Sequence, residues 1–169
     1  AVNRDPKSRG GSAYMCETLR VGDIIRVTAP HNHFPLAEHA PLSVFVAGGI
    51  GITPILAMAR DASRRGVPWR LVYGGRTRAT MAFVDELSAL PGGQVELMPQ
   101  DECGLLPLKH ILDTVETGTA VYACGPEPMI RAVEDACTGH LPAGALHVER
   151  FSASSVPRLP EPEAARSFE

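Results

Sequence analysis

Four cysteines are scattered through this chain, at Cys16, Cys103, Cys124 and Cys137, and none stands two residues from another. That spacing excludes a zinc ribbon and a local iron–sulfur loop. A chain with this much apolar material has little need of a disulfide framework. No apolar run approaches the roughly 20 residues a membrane-spanning helix requires. The opening AVNRDPKSRGG contains no apolar leader. These absences read as reduced thiols in a cytoplasm, with no membrane. An excess of charge is lacking too: 16 basic and 19 acidic residues leave a net −3. The electrostatic case for nucleic acid or an anionic surface falls with it.

What remains is a globular composition, 44% apolar and 21% charged over 169 residues. That is enough for one ordinary domain plus pieces of others. The chain reads as cut at both ends. It has no initiating Met, and RSFE (166–169) looks like the start of a strand. Before it, residues 152–165 carry Pro157, Pro160 and Pro162 and suit an extended linker.

Residues 1–40 read as the tail of one domain. The pattern predicts a short helix over 13–19 with Ser12 as its N-cap, a turn at Gly22-Asp23, a strand over 24–28 and a loop over 30–36. From residue 41 the texture changes to strand, turn, helix, repeated. Strands are expected over 43–47, 69–73, 95–98, 120–123 and 145–151. Helices are expected over 55–64, 80–90, 108–115 and 128–138. The fold class is α/β: a five-stranded parallel sheet with helices on both faces.

Such a sheet binds ligands at the carboxyl ends of its strands, where helices begin. There unpaired backbone N–H groups and the helix dipole attract an anion. In VFVAGGIGITP (44–54) the glycines Gly48, Gly49 and Gly51 follow a buried strand, so a diphosphate could approach the main chain with no Cβ in its way. Thr53 adds a hydroxyl donor and Pro54 suits a helix start. The spacing is neither G-x-G-x-x-G nor a P-loop, and a plain tight turn is the alternative. A second turn, Cys124-Gly125-Pro126, closes another strand before another helix. Two such turns outline one crevice for a dinucleotide. Arg76 and Thr77 follow the second strand, where folds of this kind contact the adenosine ribose. An acidic residue there would favour NADH; with Arg76-Thr77-Arg78 in place NADPH stays open, and Arg78 also reads as a solvated surface charge. The run Ser8, Arg9, Gly10, Gly11 and Ser12 offers amides, hydroxyls and one cation, as a phosphate seat does. Its alternative is a basic loop. His31 and His33 read as surface histidines.

The pieces SRGGS (8–12), GDIIRVTAP (22–30), AGGIGITPI (47–55), YGGRT (73–77), AFVDEL (82–87), YACGPEPMI (122–130) and HVERF (147–151) resemble, in order, the ferredoxin-reductase superfamily. The nearest resemblance is to its phthalate dioxygenase reductase group, which includes vanillate demethylase reductase subunits. It implies that NADH gives hydride to FMN, which passes electrons singly to a [2Fe–2S] ferredoxin domain and so to a Rieske-type oxygenase that acts on an aromatic compound. By the same resemblance residues 1–40 are the end of a flavin-binding β-barrel and 41–151 the nicotinamide-binding domain. Residues 152–165 are a linker, and 166–169 begin a ferredoxin domain absent here, as are the early barrel strands. Ser8, Arg9, Gly10, Gly11 and Ser12 would hold the FMN phosphate. Gly48, Gly49, Gly51, Ile52, Thr53 and Pro54 would hold the pyrophosphate. Cys124, Gly125 and Pro126 would lie beside the nicotinamide, with Glu149 and Phe151 near the flavin ring. The alternatives are a core thiol at Cys124 and a core aromatic at Phe151. Two rival functions remain: a non-catalytic nucleotide-binding or docking fragment that has lost its flavin, and a reductase fused to a haem domain. The linker and the RSFE end speak against the second.

Overall fold

The computed structural model of the chain describes residues 2, 4–38, 40–116 and 118–151. The expected linker and ferredoxin start lie outside them. Five strands form one sheet: β1 (Ser43–Gly48), β2 (Trp69–Gly75), β3 (Gly93–Pro99), β4 (Ala120–Cys124) and β5 (Leu146–Glu149). All adjacent pairs are parallel, in the order β3-β2-β1-β4-β5. A parallel sheet is stable only when both faces are covered. The side chains accordingly alternate between two apolar clusters. Phe45, Ala47, Leu71, Tyr73, Tyr122 and Cys124 point to one. Val44, Val46, Val72, Val121 and Ala123 point to the other.

Helices α2 (Ile52–Arg65) and α3 (Val84–Ser88) cover the first face. Helices α5 (Leu108–Asp113) and α6 (Glu127–Cys137) cover the second. A short α4 (Gln100–Cys103) follows β3. In α2, Ile55, Leu56, Ala59 and Ala62 form the buried stripe, and Gly66 ends the helix at φ 68. A left-handed residue there closes the helix, and glycine takes it without a Cβ clash.

Three expectations fail. The apolar stripe over 80–90 is not one helix. Thr77 and Thr80 cap each other around a 3-10 turn (Arg78–Thr80), and Phe83 sits at φ 63, so helix begins only at Val84. The expected strand over 24–28 is irregular. Val21, Ile24 and Val27 are exposed at 108%, 99% and 75%, and no neighbouring strand among the described residues offers a ladder. An extended segment becomes a strand only when its backbone groups find partners. Finally, Ser12 is not an N-cap. Helix α1 (Gly11–Ala13) starts after Gly10, at φ 113, and runs into a π-helical turn (Tyr14–Thr18). Ser8 supplies the capping hydroxyl instead, accepting from Gly10 N–H at 3.1 Å and Ala13 N–H at 3.3 Å.

Candidate functional site

Strand order places the site. From β1 the chain steps outward to β2 and β3, then returns to lay β4 on the opposite side of β1. Ala47 pairs with Cys124 in register, so the turns leaving β1 and β4 emerge side by side and run apart. Ligands of open α/β sheets bind in the crevice at such a reversal.

The glycines there do two different things. A Cβ on Gly51 would lie 2.1 Å from the Cys124 carbonyl oxygen, and one on Gly125 would lie 3.0 Å from Gly48 Cα. One on Gly48 would meet Met129 Sδ at 2.7 Å and Pro126 Cδ at 2.8 Å. These three are bare because the turns pack against each other. At Gly48, Gly51 and Gly125 the packing by itself already forbids a side chain. Gly49 alone combines a left-handed φ of 52 with open space around the missing Cβ. It leads the 3-10 turn Gly49–Gly51 into α2, whose first amide, Ile52 N–H, donates back to Gly49 O and Ile50 O.

Thr53 departs from its expected role as well. Its hydroxyl donates to Ile50 O at 3.0 Å, so its proton closes the turn rather than facing outward. Ile52 is a core residue, 1% exposed. Pro54 falls in the first turn of α2, where its missing N–H costs nothing. Pro126 precedes α6 and its carbonyl accepts from Met129 and Ile130.

Cys124 is fully buried in the core face. Burial, reinforced by the Glu149 charge, pushes its thiol up to about 12. It is therefore a protonated core thiol at physiological pH and not a nucleophile. Glu149, half-buried, is its register partner on β5. Phe151 follows β5 and is exposed. Between them Arg150 binds Glu127 at 3.0 Å and Glu134 at 2.6 Å, which fastens the strand end to α6.

On the β2 side, Arg76 is exposed and its carbonyl accepts from Asp101 N–H at 3.2 Å. The Thr77 hydroxyl is engaged with Thr80 at 3.1 Å. Arg78 is a surface charge, as expected, and is ion-paired with Glu102. The seat at residues 8–12 is a separate, local structure whose hydrogen bonds stay within residues 5–14. Its Gly10 and Gly11 face open space, and Arg9 is exposed.

Two residues escaped the sequence reading. Tyr73 is buried, and its hydroxyl accepts from Ala82 N–H at 3.1 Å and reaches toward Gly49 O at 3.5 Å. It braces the Gly49 turn against the loop before α3. A tyrosine among aliphatic residues in a buried strand was the available signal, since a buried hydroxyl needs partners. Met129 underlies both Gly48 and Gly125; nothing in its helical spacing distinguishes it from core. Chemically, the crevice offers one open glycine turn and two helix starts, an arrangement that suits a diphosphate.

A reversed five-stranded parallel sheet with this crevice is the fold of the NAD-binding domain of ferredoxin reductases. The chain belongs to the family of dimethylamine monooxygenase subunit DmmA-like N-terminal domains, whose model matches residues 25–141. Phenoxybenzoate dioxygenase subunit beta of Ectopseudomonas oleovorans is 45% identical over 157 residues, 92% of this chain and 49% of that protein. A solved phthalate dioxygenase reductase, described as modular for electron transfer from pyridine nucleotides to [2Fe–2S], is 35% identical with a TM-score of 0.79; the match covers 92% of this chain and 49% of that one. An intact type IV self-sufficient cytochrome P450 monooxygenase reaches 44% and 0.84, over 90% of this chain and 20% of its own. The chain thus spans about half the length of the curated relatives it matches.

Proposed function

We propose that this chain is the nicotinamide-nucleotide-binding part of a reductase that delivers electrons to an oxygenase. The carrying observation is the open, left-handed Gly49 turn set against the β4 turn where the strand order reverses. When bound, NADH or NADPH supplies a hydride and FMN converts it to single electrons for a [2Fe–2S] centre. The chain's own residues bind and align. The amides of the Gly49–Gly51 turn and the start of α6 hold the diphosphate, and Tyr73 keeps the Gly49 turn in place. Arg76 and Thr77 border the adenosine ribose.

Hydride transfer needs no strong base, only donor and acceptor carbons about 3–3.5 Å apart with water excluded. Cys124 ends β4 at the nicotinamide end, its protonated thiol packed in the core behind that turn. Glu149 and Phe151 lie at the adjoining strand end, where an aromatic covers a flavin. Residues 1–40 belong on this reading to a flavin-binding barrel, and Ser8–Ser12 hold its phosphate. The exposed Val21, Ile24 and Val27 favour it, since they lack an apolar neighbour. Residues 152–165 then lead to a ferredoxin domain begun at 166–169, and the partner is a Rieske-type oxygenase acting on an aromatic compound. The setting is cytoplasmic, in keeping with four free thiols and, among the described residues, no helix long and apolar enough to cross a membrane.

Titration with NADH and NADPH tests the reading. We expect a submillimolar dissociation constant for at least one, weakened tenfold or more by Gly49→Val, on the order expected when a helix-start anion site is blocked. Binding no better than millimolar, with Gly49→Val changing nothing, contradicts it. A second arrangement, with the same reductase region joined to a haem domain, is favoured by the 44% identity to the self-sufficient monooxygenase. A haem absorbance band in the intact protein separates the two.

A further inference from the structure

We infer that Glu102 sets the choice between NADH and NADPH by occupying Arg78. The inference rests on the proposed nucleotide site and concerns its adenosine end. Arg76, Thr77 and Arg78 follow β2, where the 2′ position of an adenosine ribose would lie. Taken alone, two arginines invite a 2′-phosphate, because a guanidinium fork matches phosphate oxygens.

The fold brings a second loop to the same place. Gly75 pairs with Pro99 at the end of the β2–β3 ladder. Asp101 N–H donates to Arg76 O at 3.2 Å, which ties α4 to the arginine loop. Glu102 then meets Arg78 with both carboxylate oxygens, Nη2–Oε2 at 3.0 Å and Nε–Oε1 at 3.3 Å. The fork that a phosphate would use is filled by a carboxylate. Glu102, followed by the weaker fields of Cys103 and Asp101, raises the pKa of Arg78 above its ordinary value.

Glu102 neutralises Arg78 at this end, and Asp101 meets Arg76 through the backbone. A 2′-phosphate must displace Glu102 and then endure it as a like charge nearby. A 2′-hydroxyl carries no charge and can donate to the carboxylate. Selectivity of this kind comes from the repulsive element as much as from the attractive one. Both partners are about half exposed, at 54% and 48%, so the effect is moderate and sensitive to salt.

Binding of NADH and NADPH to the intact protein, followed by fluorescence, tests this in the wild type, Glu102→Gln and the double variant Arg78→Gln/Glu102→Gln. Glu102→Gln keeps the shape and removes the charge at an exposed position. We expect the wild type to prefer NADH. Glu102→Gln should tighten NADPH relative to NADH by about three- to tenfold, as removal of one exposed like charge near a dianion implies. The gain should vanish in the double variant and shrink at high salt. NADH binding with an unchanged NADPH-to-NADH ratio in Glu102→Gln overturns the role of Glu102 and leaves the nucleotide site standing. Failure of both nucleotides to bind overturns both.

Discussion

Within one turn, glycine is required for two unrelated reasons, and substitution can tell them apart. At Gly51 a methyl group would collide with the Cys124 backbone at 2.1 Å, and strand backbone cannot yield. Gly51→Ala should cost on the order of 2–4 kcal/mol in urea unfolding, the upper range for overpacking. Gly49→Ala meets no atom. It bears only the left-handed backbone penalty, about 1–2 kcal/mol. A smaller loss at Gly51 than at Gly49 would refute this division. The pattern of glycines was legible in the sequence; the division was not, because it depends on a strand 70-odd residues away. Cys124 gives a second residue-scale test. Its thiol titrates near 12 in the folded chain against an ordinary 9.0. The unfolded chain releases that proton first, so this contribution to stability is whole below pH 9 and is lost as pH rises toward 12. Cys124→Ala should flatten the alkaline fall, while Tyr73 and Tyr122, also raised by burial, still contribute above pH 10.0. A thiol reagent at neutral pH should label the exposed Cys16 and Cys103 and spare the buried Cys124 and Cys137. Rapid labelling of Cys124 in the native state would contradict its place in the core.

At the scale of elements, periodicity found the buried strands and the long helices. Fully buried strands such as β1 announce themselves as short apolar runs, and α2 by its stripe. Helix α2 begins three residues before the expected start, because the Gly49–Gly51 turn already coils helically. The stripe over 80–90 misled, since apolar spacing cannot reveal that Phe83 adopts a left-handed φ or that Thr77 and Thr80 close a separate turn. The segment before β1 is tied down by a tertiary bond invisible to any local window. The Tyr122 hydroxyl accepts from Ala37 N–H at 2.7 Å, while Phe34 meets the Tyr122 ring edge-on at 5.8 Å. Tyr122→Phe should destabilise by about 1 kcal/mol, the usual worth of one such bond. It should also speed amide exchange at Ala37 without changing exchange in β1. Unaltered exchange at Ala37 would show that the bond does not hold the segment.

For the molecule as a whole, sequence reading reached a five-stranded parallel sheet and one shared crevice. It did not reach the strand order, which pairing alone decides. That order sets two turns far apart in sequence side by side, and it carries Glu102 to Arg78 across 24 residues of chain. The central claim is that backbone amides at the β1 and β4 turns hold the diphosphate of a nicotinamide dinucleotide. Mapping amide chemical shifts during an NADH titration tests it most directly. Saturable shifts should concentrate at Gly49, Ile50, Gly51 and Gly125. Binding that leaves those four amides unmoved, or shifts confined to other faces of the sheet, would contradict it.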